Sequence, residues 1–185
     1  MTPLTVDVQD DLVDAARIME RYDVSCVGVL SHGHFVGALT LPVIVKLALR
    51  QDWVSEPVSR LMTCMPLVRV HVHSRLLEAR AIMRRANVSH LPVMDHEHFA
   101  GLLSERDLAA VCRTSLDSPD AILAGEIMEL RPPTSAPDRS AWEVGRTIVT
   151  EHAEAVAVVA ADRLMGIVTQ TDFLTHFVAA ASPHS

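Results

Sequence analysis

The chain has 185 residues, 49% of them hydrophobic, which supplies a core for one domain or several small repeats and excludes global disorder. Its 16 basic and 23 acidic residues leave a net charge of −7, so neither nucleic acid nor an anionic membrane is expected as a partner, because both select for a basic footprint. No apolar run approaches the roughly 20 residues that span a bilayer.

The chain opens with a short extended segment, Leu4 to Val8, and then an amphipathic stretch with Leu12, Ala15, Ala16 and Met19 at helical spacing. Two strands joined by a tight polar turn follow, Cys26 to Leu30 and Phe35 to Thr40, and an apolar helix comes after Thr40. Arg50 to Pro57 is short and polar and reads as a linker. The same order then returns, as extended Leu67 to Val72, a helix carrying Leu76, Ala79 and Met83, strands His90 to Met94 and Phe99 to Ser104, and another helix. A Ser-, Asp- and Pro-rich linker, Thr114 to Asp120, leads to a more divergent third copy. That copy has extended backbone around Thr134, a helix opened by the capping box Ser140-Ala-Trp-Glu143, strands Ala155 to Val159 and Leu164 to Thr169, and a final helix.

A constant shift of 64 superposes Leu12 on Leu76, Ala15 on Ala79, Met19 on Met83, Val24 on Val88, Phe35 on Phe99 and Gly37 on Gly101. The expected fold class is α/β (α+β), built from tandem β-α-β-β-α repeats over residues 1–50, 57–113 and 124–179. One such unit is too small to bury its own apolar faces, so the repeats are expected to pack on one another.

Each copy closes on a related motif. Gly101-Leu-Leu-Ser104-Glu-Arg-Asp107 and Gly166-Ile-Val-Thr169-Gln-Thr-Asp172 lie 65 residues apart, and Gly37-Ala-Leu-Thr40-Leu-Pro-Val43 is a third version without the carboxylate. The glycine would let a ligand approach the strand backbone. The hydroxyl sits where a helix begins, and a helix N-terminus favours phosphate. The same residues also read as capping boxes that need no ligand, in which case Thr40 still caps its helix.

This ordered set resembles the CBS-domain family, the cystathionine-β-synthase-type repeat. The resemblance is carried by Val58-Ser-Arg-Leu-Met62-Thr, Leu76 to Ala86, His90-Leu-Pro-Val93-Met-Asp95 and Gly101 to Asp107, and again by Glu126-Ile-Met128, Ala155 to Val159 and Gly166 to Asp172. It implies that two repeats pair through their sheets into a Bateman module. It also implies that clefts between paired repeats bind an adenosine-containing ligand, such as AMP, ADP, ATP, NAD or S-adenosylmethionine, with no obligatory cofactor. By position, Asp107 and Asp172 would accept hydrogen bonds from ribose hydroxyls, which charge assistance strengthens. Ser104 and Thr169 would donate to phosphate. His90 would line the adenine pocket or serve as a half-buried strand-start histidine, and His152-Ala-Glu-Ala155 occupies the corresponding region of the third copy. Arg106 would reach phosphate or lie exposed on its helix.

The ten histidines include His71-x-His73 on a strand and His32-x-His34 and His96-x-His98 in equivalent turns. A transition-metal site needs three or four converging ligands, and repeat ancestry explains the matched turns, so no metal is assigned. No spacing calls for catalysis, and an enzyme is not expected. Cys26, Cys64 and Cys112 show no metal-ligand spacing and read as buried thiols of a reducing compartment. With no leader evident in Met1 to Val6, a soluble, cytoplasmic protein is expected.

The resulting expectation is a non-enzymatic sensor that signals to a partner protein of unknown identity. The alternatives are a ligand-free interaction scaffold and a metal-responsive dimer through the histidine turns. Three repeats cannot all pair within one chain. Repeats one and two are expected to form the module and the third to pair with its own copy in a homodimer; the alternative pairs two and three and leaves the first to dimerise.

Overall fold

The apolar face shared by Leu12, Ala15, Ala16 and Met19 forms helix α1, Leu12–Tyr22. Asp11 starts it by accepting the N–H of Val13 at 2.9 Å, and Asp23 ends it in the left-handed region at φ 50°. The matching helix of the second repeat, α3 (Leu76–Ala86), ends in the same way at Asn87, φ 51°. The computed structural model describes residues 4–64, 67–114 and 121–181. The linker residues Ser115 to Asp120 therefore lie outside the described residues.

Strand β1 (Thr5–Asp7) runs parallel to β2 (Cys26–Ser31), which forms an antiparallel hairpin with β3 (His34–Thr40) ahead of α2 (Leu41–Ala48). The second repeat repeats this with β5 (Val70–His71), β6 (His90–Asp95), β7 (His98–Ser104) and α4 (Glu105–Thr114). In the third, β8 (Thr134–Ser135) is parallel to β9 (Ala155–Ala160), with α6 (Ala141–Thr150) before β9, and β10 (Arg163–Thr169) and α7 (Gln170–Ala181) after it. A short strand β4 (Thr63–Cys64) adds antiparallel to β10, and helix α5 (Ala124–Ile127) precedes β8. The expected mixed α/β repeats are present.

The chain divides into two compact units. One gathers the first repeat with α6, α7 and the adjoining ends of β9 and β10; the other holds residues 63–137 and 157–167. In the first unit α1 and α2 pack on α6 and α7, burying Ala16, Met19, Ile44 and Val45 with Ile148, Phe173 and Leu174. Gly145 permits this, since a β-carbon there would lie 2.6 Å from Leu49 and 2.9 Å from the Phe173 ring. In the second unit Leu76, Ala79, Met83, Leu91, Val93, Leu103 and Leu108 form the core, closed by Ala124.

Four expectations change. The helices of the first repeat pack on those of the third, a contact the sequence reading does not foresee. The sheet surface of the first repeat is left exposed. Phe35 and Val36 are 69% and 58% accessible and Ala38 is exposed, whereas Leu102, the counterpart of Ala38, is buried. The linker Arg50 to Pro57 is not a loose connector: Val54 is buried, the Trp53 and Phe173 rings lie 6.0 Å apart, and Ala141 donates its N–H to the Glu56 carbonyl at 2.8 Å. The apolar Trp53 and Val54 pull it onto the unit. Cys26 and Cys64 are exposed, since one sits on the open sheet of repeat one and the other in a two-residue strand at a sheet edge. The Cys112 side chain is outside the description. Finally, Gly101 does not make room for a ligand. A β-carbon there would run into the Glu129 carbonyl oxygen and lie 3.0 Å from Met128 Sδ, where Leu102 exchanges backbone hydrogen bonds with Glu129.

The Ser140 box forms as read. Ser140 Oγ accepts the Glu143 N–H at 3.3 Å, and Glu143 Oε2 takes the Ser140 N–H at 3.1 Å. The Ser140 backbone N–H, then its hydroxyl and Arg139, hold the Glu143 carboxyl below the usual carboxylate range. A carboxyl lowered on folding stabilises above its unfolded pKa and loses that stabilisation as pH falls through the lowered value. Denaturant unfolding followed from neutral to acid pH should therefore show a shallower acid-side loss in Glu143→Ala than in the parent chain; superimposable profiles would contradict the coupling. Gly101→Ala should cost about 1–3 kcal/mol through the Glu129 clash, while Gly37→Ala, whose β-carbon meets nothing within 4 Å, should be near neutral in the same assay.

Candidate functional site

In each repeat the last strand ends on a hydroxyl residue and the next residue starts a helix. The first helical N–H donates back to the residue before the hairpin's first strand: Leu41 to Ser25 at 3.1 Å, Glu105 to Ser89 at 2.8 Å and Gln170 to Glu154 at 3.2 Å. This shared bond places Ser104 and Thr169 at equivalent strand-to-helix junctions.

The structure brings Ser104 and Asp107 together. Asp107 Oδ2 accepts from the Ser104 N–H at 2.9 Å and from Ser104 Oγ at 2.6 Å, and the Asp107 N–H donates to Ser104 Oγ at 3.1 Å. Thr169 and Asp172 repeat the arrangement at 2.6, 2.7 and 3.3 Å. All four side chains are half-buried. Each motif is thus a closed capping box, and each belongs to a different compact unit.

The first repeat departs from the reading of its own residues. Thr40 makes no side-chain cap bond, and a proline sits in the first turn. Val43, at the place of Asp107 and Asp172, offers no carboxylate to hold that hydroxyl.

His90 is half-buried and lies directly opposite Ser104 in the hairpin register, with its Nδ1 3.0 Å from Ser89 Oγ. Cys26 occupies the same place opposite Thr40. Arg106 is exposed in the first turn of α4, next to Asp107. The structure therefore assembles His90, Ser104 and Asp107 at one junction, with Arg106 at its rim. Sequence reasoning missed the part played by Glu129, whose backbone clamps the strand entering this junction. The nearby Glu126-Ile-Met128 was a visible signal, but nothing in sequence linked it to Gly101.

Chemically, the junction offers a hydroxyl, a carboxylate and the N-terminal end of a helix within one turn. These cap bonds run through Oδ2 of each aspartate, and an ionised carboxylate has about four lone-pair sites. Capping and acceptance from a ligand are therefore compatible on the same side chain. No helix among the described residues is long and apolar enough to cross a membrane.

Comparison with known proteins places these features. The A-adding tRNA nucleotidyltransferase of Geobacter sulfurreducens is 32% identical over 111 residues, covering 60% of this chain and 12% of that protein. The inosine-5'-monophosphate dehydrogenase of Helicobacter pylori is 32% identical over 57% of this chain and 22% of its own length. The chain thus matches only a small part of either enzyme. Among solved structures, protein MJ1225 of Methanocaldococcus jannaschii superposes with a TM-score of 0.80 at 18% identity, covering 95% of this chain and 67% of that one. The CBS domain pair of protein MJ0100, solved in complex with 5′-methylthioadenosine and S-adenosyl-L-methionine, gives 0.60 at 25% identity, over 67% of this chain and 97% of that one. The CBS domain model matches residues 1–49, 58–113 and 124–179, leaving residues 50–57, 114–123 and 180–185, and the chain belongs to the CBS-domain family.

Proposed function

We propose that the chain is a non-enzymatic regulatory protein that binds an adenosine-containing ligand and signals to a partner protein. The observation that carries this reading is the pair of strand-to-helix junctions in repeats two and three, each presenting a hydroxyl and a carboxylate at a helix start. In this reading Asp107 and Asp172 accept from ribose hydroxyls, while Ser104 and Thr169 donate to phosphate or to the equivalent polar group. His90 lines the base, and Arg106 adds charge where the ligand carries phosphate. The first repeat, with Val43 in place of the carboxylate, holds no such ligand. The adenosine-containing ligands of protein MJ0100 support the ligand class. A bound ligand shifts the protein only by its differential affinity for two arrangements of the repeats.

A second reading is favoured by the caps themselves: both carboxylates already stabilise helix starts, and the repeats then serve only as an interaction scaffold. Isothermal titration against AMP, ADP, ATP, NAD and S-adenosylmethionine separates the two. The sensor reading expects micromolar binding of one ligand, weakened about 10-fold or more by Asp107→Ala or Asp172→Ala, as loss of hydrogen bonds to a charged group requires. The scaffold reading expects no binding across the panel and a cost of about 1 kcal/mol in helix stability for either substitution.

The exposed sheet of the first repeat is the surface that a second copy of the chain would cover, through Phe35, Val36 and Ala38, in a homodimer. Light scattering of the parent chain should give twice the chain mass, and Phe35→Glu with Val36→Glu should shift it to the monomer. A monomer in the parent across micromolar concentrations overturns the dimer.

A further inference from the structure

Strand β5 lays His71 beside Met94 of β6, one residue short of Asp95 and the turn residue His96. One ligand atom from each of His71, Asp95 and His96 falls within 4.8 Å of the others. The His96 N–H points at His71 Nε2 at 3.2 Å, and His96 Nδ1 lies 2.9 Å from Asp95 Oδ1. The His71 and His96 rings meet edge to face with centroids 5.6 Å apart, and the His73 ring lies 5.2 Å from His71. We propose that His71, Asp95 and His96 form a binding site for a divalent transition cation of the zinc, cobalt and nickel class, with solvent completing the coordination shell. This site shares no residue with the proposed nucleotide junctions and stands or falls without them.

Two imidazoles and one carboxylate make a borderline nitrogen–oxygen donor set. Such a set suits these ions, whereas calcium and magnesium prefer oxygen alone. A tetrahedral ion with bonds of about 2.0–2.1 Å holds its ligand atoms roughly 3.3 Å apart. The three donors therefore need to close by at most about 1.5 Å from their present limit. Asp95 and His96 are exposed and turn by side-chain rotation, while half-buried His71 is fixed by its strand.

His71 is suited to be the anchor. Its Nδ1 faces the His73 N–H at 3.3 Å and its Nε2 faces the His96 N–H at 3.2 Å. A neutral imidazole has one acceptor nitrogen, so only one of these contacts is a hydrogen bond in either tautomer. In the tautomer whose lone pair sits on Nε2, that nitrogen faces His96, and coordination there displaces the long contact with the His96 N–H.

Repeat ancestry does not account for this set. At the shift of 64 the first repeat has Asp7, Ser31 and His32 at these places, and at 65 the third has Ala136, Ala160 and Ala161. Only the turn histidine recurs. His71 and Asp95 are particular to the repeat in which the three donors converge.

The test is cobalt(II) titration of the full chain after chelator treatment and dialysis, followed by visible absorption, with zinc(II) as competitor. One equivalent per chain is expected, giving ligand-field bands that zinc abolishes. His96→Ala and Asp95→Asn change exposed side chains and should each weaken binding about 10-fold or more. His71→Ala should do the same, with circular dichroism confirming the fold. His32→Ala and His34→Ala should leave binding unchanged. No saturable binding, or binding insensitive to His96→Ala and Asp95→Asn, would overturn the site, as would half an equivalent per chain, which would put the ion between two copies.

Discussion

Close approach at Gly145 organises the first unit. Leu49 and the Phe173 ring occupy the space that a side chain would fill, and through them α2 and α7 settle against α6. The segments joined lie far apart in sequence, so their contact closes a long loop. That entropy cost grows only slowly with length and is offset by apolar burial. Phe173, Ile148 and Ile44 are all buried. The packing spends the helical side of the first repeat inside the chain. Its sheet side remains uncovered, and the exposure of Phe35 and Val36 follows from that choice.

The strand-to-helix junctions of repeats two and three rest on one local motif. A strand that ends on serine or threonine leaves the first helical N–H groups unpaired, and the hydroxyl takes one of them. The aspartate three residues on returns the favour by accepting the junction's own N–H. This reciprocity holds the carboxylate in a fixed orientation. Where Val43 replaces the carboxylate, the hydroxyl of Thr40 makes no cap bond either. Loss of the acid and loss of the cap therefore go together in the first repeat, although the threonine is retained.

The two histidine-bearing features differ in kind. His90 enters its junction through hairpin register, which the alternation of β6 and β7 sets locally. His71 reaches Asp95 and His96 through the parallel pairing of β5 with β6, a contact across the intervening α3. Sequence reading sets His32-x-His34 and His96-x-His98 in equivalent turns of two repeats. The structure joins one such turn to a strand of its own repeat.

The elements of the three repeats, their order and the caps at Ser104 and Thr169 are legible in the sequence. These rest on periodicities of 2 and 3.6 residues and on bonds spanning three positions, so the information lies within a few residues of where it acts. Leu76, Ala79 and Met83 name one helical face, and Ser104 with Asp107 names one cap, without reference to anything distant. Which faces meet is visible only in the packed fold. The likeness of repeats one and two records common descent, and descent does not fix contact: the first repeat packs its helices on the third. The clamp of Glu129 on Gly101, the burial of Val54 in an apparent linker and the convergence of His71 with Asp95 and His96 share that origin. Each is set by which surfaces lose the most water on packing, a property of the whole assembled chain and of no single segment.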